Sequence, residues 1–273
     1  MRWVAFDTET YLIASGRLAP KLVCMTWYSP DGASGITLAT QAVQALRYWL
    51  TNGYIIVGHN VAYDLGVMCA ADHSLMPLVW QAYDSGRVLD TGIYEMLRKI
   101  ANDRFKYDPE LRCEPHFSLA EIAKQYFGLD VTESKKDANA WRLRYHELDG
   151  VPLEQWPSEA KAYALGDAQI TGRAFAMQIA QPMADWDRQT RYAWSLHLTS
   201  SWGLRTDPEA VARLKASLIE RIRYVQPQLA AAGLISWDSK KHAWKRNLKV
   251  FKAKVEAALG TATPRTKPTA RNP

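Results

Sequence analysis

The chain has 273 residues, 48% hydrophobic and 23% charged, with a formal net charge of +6. Such a composition suits one sizeable domain with an appendage, or two small domains, and excludes disorder over most of the length. No run of about 18 apolar residues is present to span a bilayer, and the start, Met1-Arg2-Trp3-Val4-Ala5-Phe6-Asp7, reads as a strand and not as a cleaved leader. A cytoplasmic protein with no membrane partner is expected.

In chain order, residues 2–7 and 21–28 are rich in strand formers and are separated by a polar stretch. Ser29-Pro30-Asp31-Gly32 is a turn signal, and residues 35–38 make a third short strand. Residues 40–50 carry Val43, Leu46 and Leu50 on one helical face. The apolar run Tyr54-Ile55-Ile56-Val57 predicts a buried strand. A helix follows from Val61, a short strand covers residues 88–90, and another helix lies near residues 93–100. Ser118-Leu119-Ala120-Glu121 fits a capping box opening a helix that Gly128 can close. Ser158 is the expected N-cap of a helix reaching about Gln178. Further helices are expected after Pro208 and after Lys240. Residues 261–273 hold Pro and Thr and no apolar side chain larger than Ala, and are expected to be disordered.

Cys24, Cys69 and Cys113 have neither zinc nor disulfide spacing. Cys24 and Cys69 lie in apolar runs and read as small buried hydrophobes.

The expected architecture is α/β over residues 1–199: a mixed sheet with helices on both sides. Residues 200–260 form a basic helical extension. From Ser200 onward there are 15 Lys and Arg against 5 Asp and Glu, leaving 19 against 23 for the rest. A basic arm beside a mildly acidic body suggests an anionic partner, nucleic acid first. A solvated helix face over residues 240–254 explains the same charge.

Four acids stand out. Asp7 and Glu9 are two apart on the first strand, so both side chains leave one face. The pair is weak by itself, and two acids solvated in a loop would look alike. Asp64 follows a buried strand in Gly58-His59-Asn60-Val61-Ala62-Tyr63-Asp64, at the strand end where α/β sheets place ligands. Asp64 can also simply complement a helix dipole, and Asn60 can be only an N-cap. Tyr163 and Asp167 are one helical turn apart, where a hydroxyl beside a carboxylate can orient water; a half-buried aromatic beside a surface charge is the plainer reading. Together these acids come from three elements, as needed to hold two divalent cations, with oxygen ligands selecting Mg²⁺ or Mn²⁺.

The strings Phe6-Asp7-Thr8-Glu9-Thr10, Gly58-His59-Asn60-Val61-Ala62-Tyr63-Asp64 and Tyr163-x-x-x-Asp167 resemble the three motifs of DnaQ-like 3′→5′ exonucleases of the DEDDy subgroup. Within it the chain looks most like the proofreading exonuclease domain of family A DNA polymerases, especially phage ones. Leu89-Asp90-Thr91 and the run from Ser118 to Gly128 support this, and the resemblance covers about residues 1–180. It implies a ribonuclease H-like fold, with Asp7, Glu9, Asp64 and Asp167 as metal ligands and Tyr163 positioning the attacking water. It also implies that Thr8, Thr10, Asn60 and Tyr63 lie near the terminal nucleotide, and that Ile13 sits where relatives wedge the last bases. The implied substrate is a single-stranded DNA 3′ end, and the implied products are nucleoside 5′-monophosphates. No polymerase palm motif occurs, although Trp202-Gly203-Leu204-Arg205-Thr206-Asp207 resembles the passage into a polymerase thumb. The resemblance then implies either part of a longer polymerase or a subunit partnering a separate polymerase chain. An RNase D-like exoribonuclease shares these motifs. A non-catalytic module delivering DNA ends is the other alternative, and four intact acids weigh against it.

Overall fold

The apolar N-terminal run becomes β1, Trp3–Thr10, the middle strand of a five-stranded sheet. This computed structural model describes residues 2–14, 16, 19–102, 117–131, 140–203 and 206–260. Strand β2 (Leu22–Tyr28) lies on one side of β1 and β4 (Ile55–Gly58) on the other. Strands β3 (Ser34–Leu38) and β5 (Val88–Asp90) are the edges, giving the order β3-β2-β1-β4-β5. The first three strands pair antiparallel, with Phe6 opposite Trp27 and Met25 opposite Thr37. Strands β1, β4 and β5 run parallel, with Val4 beside Ile56 and Val57 beside Leu89. Parallel pairs require crossovers. Helix α1 (Ala39–Thr51) leads into β4, and α2 (Val61–Ala71) with α3 (Met76–Asp84) leads into β5.

Period-two alternation splits the core into two layers. Val4 and Phe6 pack with Leu46, Leu65, Met68, Val79 and Trp194, the last from α7 (Trp186–Trp202). Trp3 and Ala5 face the other way, with Tyr94 of α4 (Thr91–Ala101) and Phe175 of α6 (Ser158–Gln178). Helix α6 lies so close to the sheet that a Cβ at Gly172 would stand 2.3 Å from the Tyr28 ring and 3.2 Å from Ala5 Cβ. Glycine is what lets the helix carrying Tyr163 and Asp167 reach β1.

Ser118 caps α5 (Leu119–Phe127), its Oγ accepting the Glu121 N–H, and Gly128 closes that helix with φ +67°. Ser158 does not cap α6. Pro157 occupies the cap position and brings no side-chain acceptor, so Ser158 is the first helical residue. Helices α3 and α7 are additions to the sequence reading. The buried stripe of α7, Trp186, Thr190, Trp194 and Leu198, is spread through a polar segment.

The chain divides into two compact units, Met1–Gly203 and Leu204–Pro273. The second contains α8 (Pro208–Ala231), a hairpin of β6 (Ile235–Asp238) and β7 (Ala243–Arg246), and α9 (Leu248–Leu259). The extension is thus not wholly helical. Lys240 and Lys241 donate their backbone N–H groups to Asp238 Oδ1, which bends the chain into a turn where a helix was expected. Residues 261–273 and Cys113 lie outside the described residues. Cys24 and Cys69 are buried free thiols. Among the described residues no helix is long and apolar enough to cross a membrane.

Candidate active site

Asp7 and Glu9 continue the face of Trp3 and Ala5, so β1 points both acids toward the side covered by α6. Glu9 is buried and Asp7 half-buried.

Asp64 arrives from the opposite direction. Strand β4 ends at Gly58, and Asn60 turns the chain with φ 64°. The Asn60 side chain is exposed and makes no cap bond. Asp90 does the capping instead. Its Oδ2 accepts the Val61 N–H at 2.8 Å, while its Oδ1 accepts Gly92 and Ile93 N–H at 2.8 and 3.1 Å. Thr91 Oγ1 adds bonds to His59 Nδ1 at 3.0 Å and, as donor, to Gly58 O at 3.3 Å. One carboxylate therefore starts two helices and ties the β5–α4 junction to the β4–α2 junction that presents Asp64.

Asp64 is 2% exposed. Its Oδ1 accepts the Thr8 backbone N–H at 3.0 Å and the Thr8 hydroxyl at 2.6 Å. The N–H is available because β4 pairs with β1 only over Trp3–Ala5. Burial pushes the Asp64 carboxyl up to about 7; the two Thr8 bonds oppose the shift and the charge of Asp90 adds to it.

Helix α6 supplies Tyr163 and Asp167, both half-buried. The Tyr163 ring lies 6.4 Å from that of Tyr145. Burial is the first cause raising the Tyr163 phenol, followed by the negative charges of Asp167 and Glu9; Arg142 opposes them, and Asp7 adds further. Tyr63 is raised by burial, against a bond from Thr10, and then by Asp64, Asp7 and Glu9. The two tyrosines thus sense all four acids, and both sense Asp7 and Glu9. As placed, no group of three or more His, Cys, Asp or Glu among the described residues is arranged to hold a metal ion. Carboxylates with no cation between them repel, while the all-oxygen donor set fits a hard divalent ion.

The remaining sequence candidates line the same end of β1. Tyr63 Oη and Thr10 Oγ1 are 2.9 Å apart, and Thr10 Oγ1 donates to Tyr11 O at 2.7 Å. Ile13 is 57% exposed in the loop after β1, next to exposed Leu12. Three roles go beyond the sequence reading. The hydroxyl of Thr8 serves Asp64. Asp90, in the string Leu89-Asp90-Thr91, caps two helices. Arg142, from the 3₁₀ turn Trp141–Leu143, has no periodic pattern that could have exposed it.

A mixed sheet of order 3-2-1-4-5, flanked by helices and carrying acids along its central strand, is a ribonuclease H-like exonuclease fold. Residues 1–179 match the 3′-5′ exonuclease family of the family A DNA polymerases, and the chain belongs to that family. Its members are nucleases and normally use divalent metal ions. No curated protein matches the chain.

Proposed function

We propose that the protein removes nucleotides one at a time from the 3′ end of DNA, releasing nucleoside 5′-monophosphates, as a proofreading part or subunit of a DNA polymerase. The observation that carries this reading is the match of residues 1–179 to the 3′-5′ exonuclease family, together with the β1 face that turns Asp7 and Glu9 toward α6, the helix of Tyr163 and Asp167. Asp7, Glu9, Asp64 and Asp167 would hold two Mg²⁺ or Mn²⁺ ions. Bound there, such ions lower the pKa of water and stabilise charge on the phosphoryl oxygens. Tyr163, its phenol held above its ordinary value, stays protonated at neutral pH and can orient water through its hydroxyl. Arg142, whose charge acts on Tyr163, would offset a phosphate there. Tyr63 and Thr10 would lie along the terminal nucleotide, and exposed Ile13 would meet its base.

The test is digestion of a 5′-labelled single strand with Mg²⁺ or with EDTA. The expected product is a ladder shortening by one nucleotide, absent in EDTA and absent for Asp7→Ala. Endonucleolytic fragments, or full activity in Asp7→Ala, would refute the reading. A parallel RNA strand decides the sugar preference: faster loss of RNA would make the enzyme an exoribonuclease.

A further inference from the structure

The second unit holds 15 Lys and Arg against 5 Asp and Glu while the rest of the chain is net acidic, and its hairpin holds two large exposed aromatic side chains. Trp237 and Trp244 are directly opposed across β6 and β7, with ring centroids 5.5 Å apart and planes at 70°. Trp237 is 52% exposed and Trp244 42%. An edge-to-face pair steadies a short hairpin that would otherwise be marginal. That packing takes up the face of one indole and the edge of the other, and both residues stay about half exposed. Opposed residues share a face, so Ile235 and Arg246 stand on the same side as the two tryptophans. Ile235 and Arg246 also line a cavity of about 270 Å³ with Leu229, Leu234, Leu248 and Phe251 among others.

Cations stand on and next to this hairpin, and among the described residues they form no ion pair with a carboxylate. Lys240 and Lys241 occupy the turn, and Arg246 ends β7. Among the described residues of the unit the ion pair is Arg213 with Glu209, on a different element. Asp238, the acid nearest the turn in sequence, has its Oδ1 directed at the turn backbone.

We propose that this hairpin binds single-stranded nucleic acid, with Trp237 and Trp244 stacking on unpaired bases and Lys240, Lys241 and Arg246 taking the flanking phosphates. Half-exposed indoles beside unpaired cations match what a single strand offers, a base face beside a phosphate charge. A duplex keeps its bases stacked inside and cannot use the indoles in this way. The choice of nucleic acid rests on the proposed function; the stacking surface itself rests on the hairpin alone.

The experiment measures binding of an oligothymidylate to the full chain in EDTA, across a range of salt, beside an abasic strand of equal length. Trp237→Thr with Trp244→Val keeps strand-forming residues and removes both indoles. It should weaken oligothymidylate binding about tenfold or more and leave the abasic strand unaffected. Lys240→Gln with Lys241→Gln keeps the backbone bonds to Asp238, so the turn is retained. It should reduce the steepness of log affinity against log salt by about 1.4, near 0.7 per contact. The proposal fails if both variants bind as the parent does, or if the parent binds abasic and thymidylate strands equally. It fails also if losing the indoles changes self-association in sedimentation and not DNA binding, which would make the hairpin a protein interface. Hydrolysis is followed separately with Mg²⁺. A parent that digests DNA while both variants bind unchanged loses this proposal alone. A parent that binds through the tryptophans and never digests a strand loses the exonuclease reading alone.

Discussion

Thr8 presents two donors to a single oxygen of Asp64, its backbone N–H at 3.0 Å and its hydroxyl at 2.6 Å. A carboxylate so deeply buried is held by the strand that also carries Asp7 and Glu9, so the spacing of the acids depends on Thr8. Replacing Thr8 by Val preserves shape and the N–H bond while deleting the hydroxyl. A hydrogen bond to a charged group contributes about 1.5–3 kcal/mol. Chemical denaturation at pH 8 is expected to show a loss of about 2 kcal/mol, with slower hydrolysis. A stability and rate equal to the parent's would mean that the hydroxyl contributes nothing to Asp64.

Asp64 makes metal-free stability depend on pH. Its folded value, about 7, lies above the ordinary carboxylate value of 3.8. A raised pKa means that the folded state prefers the protonated form, so this contribution is complete below about pH 4 and is lost as pH rises through about 7. Asp64→Asn can still accept both Thr8 bonds and carries no charge. In EDTA the variant is expected to be more stable than the parent at pH 8, by at most about 4 kcal/mol, with a smaller difference at pH 5. Calorimetry at the two pH values checks this. A parent more stable than the variant at pH 8 would show that Asp64 is not under strain from burial.

Asp7 and Tyr163 are expected to differ in kind. Asp7→Ala should abolish Mg²⁺-dependent hydrolysis while circular dichroism remains that of the parent. Tyr163→Phe should slow hydrolysis by about 10²-fold or less, the low end for a positioned catalytic group, with metal affinity retained in titration calorimetry. Loss of metal binding in Tyr163→Phe would make the hydroxyl part of the ion site and not a guide for water.

Asp90 answers three backbone N–H groups at two helix starts. Asp90→Ala strands all three in a region where Asp90 itself is buried. With an N-cap worth about 1 kcal/mol and each buried unsatisfied donor costing about 1–3 kcal/mol, a loss of about 3 kcal/mol or more is expected in urea denaturation. Asp90→Asn retains one acceptor oxygen and should fall between. Equal stability of the Ala variant and the parent would remove Asp90 as the anchor of the α2 start.

The parts of the fold visible in the sequence were those where local chemistry and tertiary packing agree. The apolar run before Asp7 is a strand because its alternating faces are both buried, and Ser118 with Gly128 bracket a helix by capping alone. The Lys-rich stretch after residue 240 was misleading because lysine favours helices, whereas Asp238 binding two backbone N–H groups and the opposed tryptophans produce a hairpin. Ser158 had the right chemistry one residue too late, behind Pro157. Helix α7 escaped because its buried positions include Thr190 between two tryptophans, so no apolar stripe stands out. The acids of the candidate site stand out through their three elements and the resemblance taken together, because the Asp7–Glu9 spacing is weak by itself. The groups that hold them, Thr8 and Asp90, do not, since a side chain's partner across 56 or 29 residues leaves no periodic trace.

The unequal lengths of β1 and β4 restrict where this chain can tolerate insertions. Beyond Ala5 the side of β1 that faces β4 has no paired strand among the described residues, and Asp64 takes the Thr8 N–H that a longer β4 would use. Two residues added after Gly58 in strand conformation would compete for the Thr8 N–H and push the carboxylate outward. The Ser29–Ala33 turn between β2 and β3 closes on its own bonds, so added residues there would disturb only that edge. Length variation among relatives with the same site should therefore collect in the β2–β3 turn and avoid the four residues from Gly58 to Val61.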